Sequence, residues 1–188
     1  WGRVYWRKVH ELPQASRLAR GKAIVNLLSL GEGEKLATVL AVRSFEPGFT
    51  VLMATREGLV KKTDLMAYSR PRAGGIIALN LVEGDELMAA RITDGTQNVF
   101  LGSRGGKSIR FHESGVRPVG RASQGVRGMR LAEGDHIVGM EVLRDGKTLM
   151  TITENGYGKR TSIDEYPVQN RGGKGVITIK TTERNGVV

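Results

Sequence analysis

Short apolar runs bounded by polar turns follow one another along this chain, and nothing of useful length shows a clean 3.6-residue apolar period. The pattern predicts strands and few helices. Leu87 to Ile92 and Asn98 to Leu101 flank Thr93-Asp94-Gly95-Thr96-Gln97, a hairpin connection with an Asp-Gly turn signal. Ile137 to Leu143 and Thr148 to Thr153 flank Arg144-Asp145-Gly146-Lys147 in the same way, and Leu36 to Arg43 and Thr50 to Thr55 flank the Pro47-Gly48 turn. A further strand, Leu59 to Thr63, follows a glycine turn; a polar loop with proline leads from it into Ile76 to Leu81. Roughly four strands in each unit of about 50 residues is the pattern of a propeller-like blade, so the expected fold class is all-β.

The repeat is carried by three markers. Glu32-Gly33-Glu34-Lys35-Leu36 recurs as Glu83-Gly84-Asp85-Glu86-Leu87 and Glu133-Gly134-Asp135-His136-Ile137, with glycines 51 and then 50 residues apart. A glycine-turn phrase recurs around Gly2, Gly58, Gly106 and Gly156 at separations of 56, 48 and 50. Pro13, Pro71, Pro118 and Pro167 fall at one place in each repeat, whereas Pro47 belongs to an ordinary turn. The predicted organisation is one domain over residues 1–188, with units at about 1–55, 56–103, 104–153 and 154–188. The first unit lacks its start and the last its closing hairpin, so about four blades of a larger disc are expected.

Charge gives this array a partner class. Among 188 residues, 29 Lys and Arg stand against 19 Asp and Glu, a formal net charge of +10. Such a surplus favours a polyanion, because neutralised phosphates release condensed counterions. The absence of cysteine excludes a disulfide framework and thiolate chemistry, and it fits a reducing cytoplasm. The longest apolar run, Ala37 to Val42 interrupted by Thr38, is too short to span a bilayer, so no membrane partner is expected. The basic opening leads into no apolar signal-peptide segment.

The loop before each unit's long strand is basic and glycine-rich. Its copies contain Arg17, Arg20 and Lys22; Arg70 and Arg72; Arg121 and Arg127; and Gln169, Arg171, Gly172, Gly173, Lys174 and Gly175. Glycine lets a backbone approach a phosphate, arginine adds a bidentate fork and lysine a point charge. A turn loop with solvated charges accounts for any single copy equally well, but four in register favour a shared binding edge. A second rank of candidates lies on the strand after each glycine turn: Arg7 and Lys8, Lys61 and Lys62, Lys107 and Arg110, Lys159 and Arg160. Where two are consecutive, one is expected to face away from the core.

Other chemistry is disfavoured. Gly105-Gly106-Lys107-Ser108 resembles the end of a phosphate-binding P-loop, but Leu101 stands where the first glycine is needed and a strand, Ile109-Arg110-Phe111, follows. His10, His112 and His136 lack metal-ligand spacing, and Glu32, Glu83 and Glu133 recur with the turns and read as structural. No catalytic residue, metal or cofactor is predicted for this domain.

Glu165-Tyr166-Pro167, Gly158-Lys159-Arg160-Thr161, Ala19-Arg20-Gly21-Lys22, Ile24 to Leu28 and Thr182 to Gly186 resemble repeats of the C-terminal domain of the gyrase A protein of bacterial DNA gyrase, a type IIA topoisomerase. Gln169 to Gly175 is similar to the family's seven-residue box, with Asn170 in place of its basic second residue and in the last repeat instead of the first. The resemblance implies a β-pinwheel, a propeller-like disc with strands exchanged between blades, that wraps duplex DNA around a basic perimeter. It also implies a parent A2B2 enzyme in the bacterial cytoplasm, associated with the nucleoid. There the breakage-reunion domain of gyrase A works with gyrase B, ATP and Mg to introduce negative supercoils. The equivalent domain of a topoisomerase IV-type protein and a protein-interaction propeller are the competing readings.

Overall fold

The computed structural model describes residues 2–188. Its strands are β1 (Arg3–Val4), β2 (Thr50–Thr55), β3 (Leu59–Asp64), β4 (Ile76–Ile77), β5 (Leu87–Thr93), β6 (Asn98–Ser103), β7 (Lys107–His112), β8 (Val126–Arg127), β9 (Ile137–Leu143), β10 (Thr148–Ile152), β11 (Gly158–Ser162) and β12 (Val176–Ile177). The helical elements among the described residues are short 3-10 turns, and no helix is long and apolar enough to cross a membrane.

Every strand pairing is antiparallel, and the chain order explains the sheets. Hairpin β2–β3 gains β5 on one edge and β8 on the other, giving the order β5-β2-β3-β8. Hairpin β6–β7 gains β9 and β12 in the same places, giving β12-β7-β6-β9. Each four-stranded blade is therefore completed by strands that come later in the chain: β5 and β9 just before the next hairpin, β8 and β12 after that hairpin has ended. Two-stranded sheets β1–β4 and β10–β11 flank these blades.

Neighbouring sheets share their cores. Leu52, Ala54 and Val60 of the first four-stranded blade pack with Leu101, Ile109, Phe111 and Met140 of the second. Val51 and Met53, on the other face of β2, pack with Tyr68, Ile76 and Leu79, and with Val4 and Trp6. Phe100, Leu143, Ile163 and Tyr166 form the core toward β10–β11, with Phe100 and Tyr166 edge to face at 5.1 Å. Both faces of the central strands are thus covered. That is why Val51-Leu52-Met53-Ala54 is an unbroken apolar run where a one-sided sheet would alternate.

The Glu-Gly-Asp phrase staples hairpin tips. Asp135 accepts from the Gly105 amide at 2.8 Å, the His136 amide at 2.9 Å and the Ser103 hydroxyl at 2.7 Å. Asp85 accepts from the amides of Glu57 at 3.0 Å and Glu86 at 2.8 Å. Glu34 takes that place in the first copy, receiving the Gly31 amide and the Tyr5 hydroxyl, each at 2.9 Å. The structural carboxylate is therefore the residue after the glycine, with Glu32, Glu83 and Glu133 exposed on its other side.

Two predicted strands fall short. Leu36 to Arg43 forms no strand, and Leu36, Val39 and Val42 are exposed. Its register matches β5 and β9, but among the described residues no hairpin strand stands beside it as β2 does for β5 and β6 for β9. Ile76 to Leu81 contributes only Ile76–Ile77 to a strand, because Ala78 and Leu79 both turn their amides to the Gly2 carbonyl.

Candidate nucleic-acid interface

Two of the basic loops are held at both ends by the second strand of the preceding hairpin. One loop leaves beside Lys62, where the Val119 amide donates to the Lys62 carbonyl at 2.8 Å, and returns as β8 against Leu59 and Val60. The next repeats this: the Gln169 amide donates to the Arg110 carbonyl at 2.8 Å, and β12 returns against Lys107 and Ser108. A loop that belongs to one unit by sequence is thus mounted on the outer edge of the blade before it.

The glycine before each return strand serves this mounting. A Cβ on Gly75 would lie 2.9 Å from the Val4 carbonyl oxygen, one on Gly125 2.7 Å from that of Val60, and one on Gly175 2.1 Å from that of Ser108. The close approach that demands glycine here is made by the protein's own neighbouring strand.

Consecutive loops are also laced together in register. The Asn80 amide donates to the Ser123 carbonyl at 3.3 Å, and the equivalent Arg130 amide to the Gly173 carbonyl at 2.8 Å. The Gly172 amide donates to the Gly128 carbonyl at 2.6 Å. The loops at 70–75, 121–128 and 169–175 therefore follow one another along the outer edge. On this edge Arg70, Arg72, Arg127, Arg171 and Lys174 are exposed, while Arg121, Gln169, Gly172, Gly173 and Gly175 are half-buried or placed against neighbouring backbone. Arg17, Arg20 and Lys22 lie in a stretch, residues 7–26, that is exposed throughout, and among the described residues no lacing bond ties it to the other loops.

The second rank of candidates needs correction. Lys61 is 2% exposed and Lys62 5%, so neither faces outward. Lys61 Nζ donates to the Ala78 carbonyl at 2.7 Å and to the Arg121 carbonyl, and burial, with the nearby Arg121 charge, lowers its pKa to about 8. Lys62 reaches the opposite face, to the Glu113 carbonyl at 2.8 Å. Arg110, at the equivalent place on β7, donates to the carbonyls of Ile163 at 2.7 Å and Tyr166 at 3.2 Å. These cations are struts between neighbouring blades and do not offer their charges to a phosphate. The expectation failed because a strand between two blades has no solvent face. Lys107 is half-buried at the start of β7, whereas Lys159 and Arg160 on β11 are exposed.

Exposed cations outside the predicted set lie close by. Arg117 and Arg130 bracket the 121–128 loop, and Arg104 is exposed at a hairpin tip. Arg56, Arg127, Arg130 and His136 line a cleft of about 510 Å³ shared with Glu57, Glu133 and Asp135. A signal for two of them was present: Arg56 and Arg104 each stand two residues before a turn glycine, Gly58 and Gly106.

This architecture has relatives. A family model described as DNA gyrase C-terminal domain, beta-propeller, matches residues 2–43, 50–94, 97–144 and 147–188. The DNA gyrase A protein of Salmonella typhimurium is 52% identical over 100% of this chain and 21% of its own length. That of Escherichia coli K12 is 51% identical over the same shares. The Mycolicibacterium smegmatis gyrase A protein is 46% identical over 98% of this chain and 22% of its own length, so the chain spans about a fifth of these relatives. A solved C-terminal domain of DNA topoisomerase IV superposes with a TM-score of 0.88 at 30% identity, over 99% of this chain and 58% of that one. A solved DNA gyrase A C-terminal domain gives 0.85 at 26% identity, over 100% and 60%. With the exchanged strands and repeated blades described above, and a family model matching nearly all of it, the chain belongs to the DNA gyrase C-terminal domain family of beta-propellers.

Proposed function

We propose that this chain binds duplex DNA along its basic outer edge and bends it around the disc, as the DNA-wrapping domain of a gyrase A protein. The observation that carries this reading is the register of the rim loops, which are mounted on successive blades and laced to one another with exposed cations on each. Duplex DNA offers phosphates at regular intervals, so a curved row of such loops meets a repeating ligand. Bending a 20–30 bp site by 40–90° costs roughly 1–6 kcal/mol on smooth elastic estimates, more than one loop offsets. Several loops acting together make binding steeply salt-dependent and weakly specific in sequence.

In the parent A2B2 enzyme this module would present a bent DNA segment to the breakage-reunion domain of gyrase A. Gyrase B would supply ATP-driven strand passage with Mg, in the bacterial cytoplasm. The chemistry of DNA cleavage would belong to those other domains, and this one would contribute geometry alone.

The test is a salt titration of duplex binding with Arg72→Glu, Arg127→Glu and Lys174→Glu combined. The expected result is a large loss of affinity and a shallower salt dependence, by a slope of about 0.9 for each phosphate no longer neutralised. Affinity that survives the triple reversal contradicts the rim and favours a protein-docking propeller. A second reading, the equivalent module of a topoisomerase IV-type protein, draws support from the 0.88 TM-score to that domain. It predicts rim binding with a smaller topological effect.

A further inference from the structure

One arginine of the rim loops makes the same bond at two successive blades. Arg121 and Arg171 each stand fifteen residues after a turn glycine, Gly106 and Gly156. Arg121 Nη1 donates to the Ile77 carbonyl at 3.2 Å, and Arg171 Nη1 to the Arg127 carbonyl at 3.1 Å. Ile77 and Arg127 are equivalent residues, the second of the outer strands β4 and β8. Arg171 adds a second prong, Nε to the Gly115 carbonyl at 2.7 Å, so its guanidinium bridges two separate segments of the preceding unit.

We propose that Arg121 and Arg171 are positioning residues, clamps that fix each rim loop against the outer strand of the blade before it and so set the spacing of the phosphate-facing cations. The geometry gives the reason. The carbonyl that Arg171 grips belongs to Arg127, so the clamp fixes the backbone from which the exposed Arg127 side chain projects. The same clamp holds the loop that carries exposed Lys174. A planar guanidinium fork spans two carbonyls at once, and a lysine ammonium on a flexible stem does not reproduce that span. With Nε and Nη1 already engaged, Arg171 has less to offer a phosphate than the exposed Lys174 beside it. The functional half of this proposal rests on the DNA-wrapping reading, whereas the clamp itself stands or falls without DNA.

The experiment compares Arg171→Lys with Lys174→Gln in the 188-residue chain. Without DNA, Arg171→Lys is expected to speed hydrogen exchange at the Gly172 and Arg130 amides, whose acceptors are the Gly128 and Gly173 carbonyls. The change should be about tenfold, with β6 amides unaffected. Lys174→Gln should leave those amides alone and lower the salt slope of duplex binding by about 0.9. Although its charge is retained, Arg171→Lys should at least halve the linking-number change per bound chain. Arg121→Lys, read at the Asn80 amide, repeats the test at the other blade.

Unchanged exchange in both arginine variants overturns the clamp. Faster exchange with an unaltered topological effect overturns its role in wrapping. If the wild-type chain itself shifts no linking number, the wrapping reading fails, and the amide result still decides the clamp.

Discussion

Lys62 on β3 donates its ammonium to the backbone carbonyl of Glu113 at 2.8 Å, and that ammonium stands 3.6 Å from the same residue's carboxylate. Glu113 is wholly buried, and its carboxylate also receives the Thr93 hydroxyl at 2.6 Å and the Gln97 amide at 2.9 Å. Two adjacent blades are thus joined by an ion pair away from water. Elsewhere in the array Leu65 and Ile163 occupy the position of Glu113, so an apolar junction fits the same architecture.

Lys62→Met should therefore be costly, at about 3–5 kcal/mol, because it strands a buried carboxylate. Lys62→Met combined with Glu113→Ile should recover most of that loss, since both charges then leave together. Urea unfolding of the two variants checks this, and a double variant no more stable than the single one would contradict the strut.

Lys61 supplies a pH dependence of known sign. Burial lowers its folded-state pKa to about 8 from 10.5, so between these values the unfolded chain binds more protons than the folded one. Stability contributed by this residue should rise as pH climbs from about 8 toward 10.5. Subtracting the profile of Lys61→Met from that of the wild type isolates the effect, and a flat difference would refute it.

Gly175→Ala should destabilise the chain by more than about 3 kcal/mol, because its Cβ would lie 2.1 Å from the backbone oxygen of Ser108 at a φ of +69°. Gly134 has a similar φ of +72°, but a Cβ there would meet nothing within 4 Å, so Gly134→Ala should cost only about 1 kcal/mol. Thermal melts of the pair separate backbone strain from collision.

Much of this arrangement was legible from turns. Asp94-Gly95 and Asp145-Gly146 do break one strand from the next, but they join β5 to β6 and β9 to β10, whereas β5 pairs with β2 and β9 with β6, so the local hairpins expected there do not form. Ile137 to Leu143 matches β9 residue for residue, with Ile137, Met140 and Leu143 buried and Glu141 exposed. Strand exchange was not readable from local pattern, since β8 joins β3 across more than sixty intervening residues. The burial of Lys61 and Lys62 was hidden for the same reason: covering of the second face comes from a blade distant in sequence. Glycines 75, 125 and 175 announced a close approach correctly, but the partner they approach in the fold is protein backbone.

A rim that bends duplex DNA around itself must change the topology of a closed circle. Closed circular DNA should be relaxed by a topoisomerase with the 188-residue chain bound at low salt, then stripped of protein and resolved by linking number. Wrapping predicts a shift that grows with bound protein, saturates, and disappears in the Arg72→Glu, Arg127→Glu, Lys174→Glu variant. A linking number unchanged at saturating protein would contradict it.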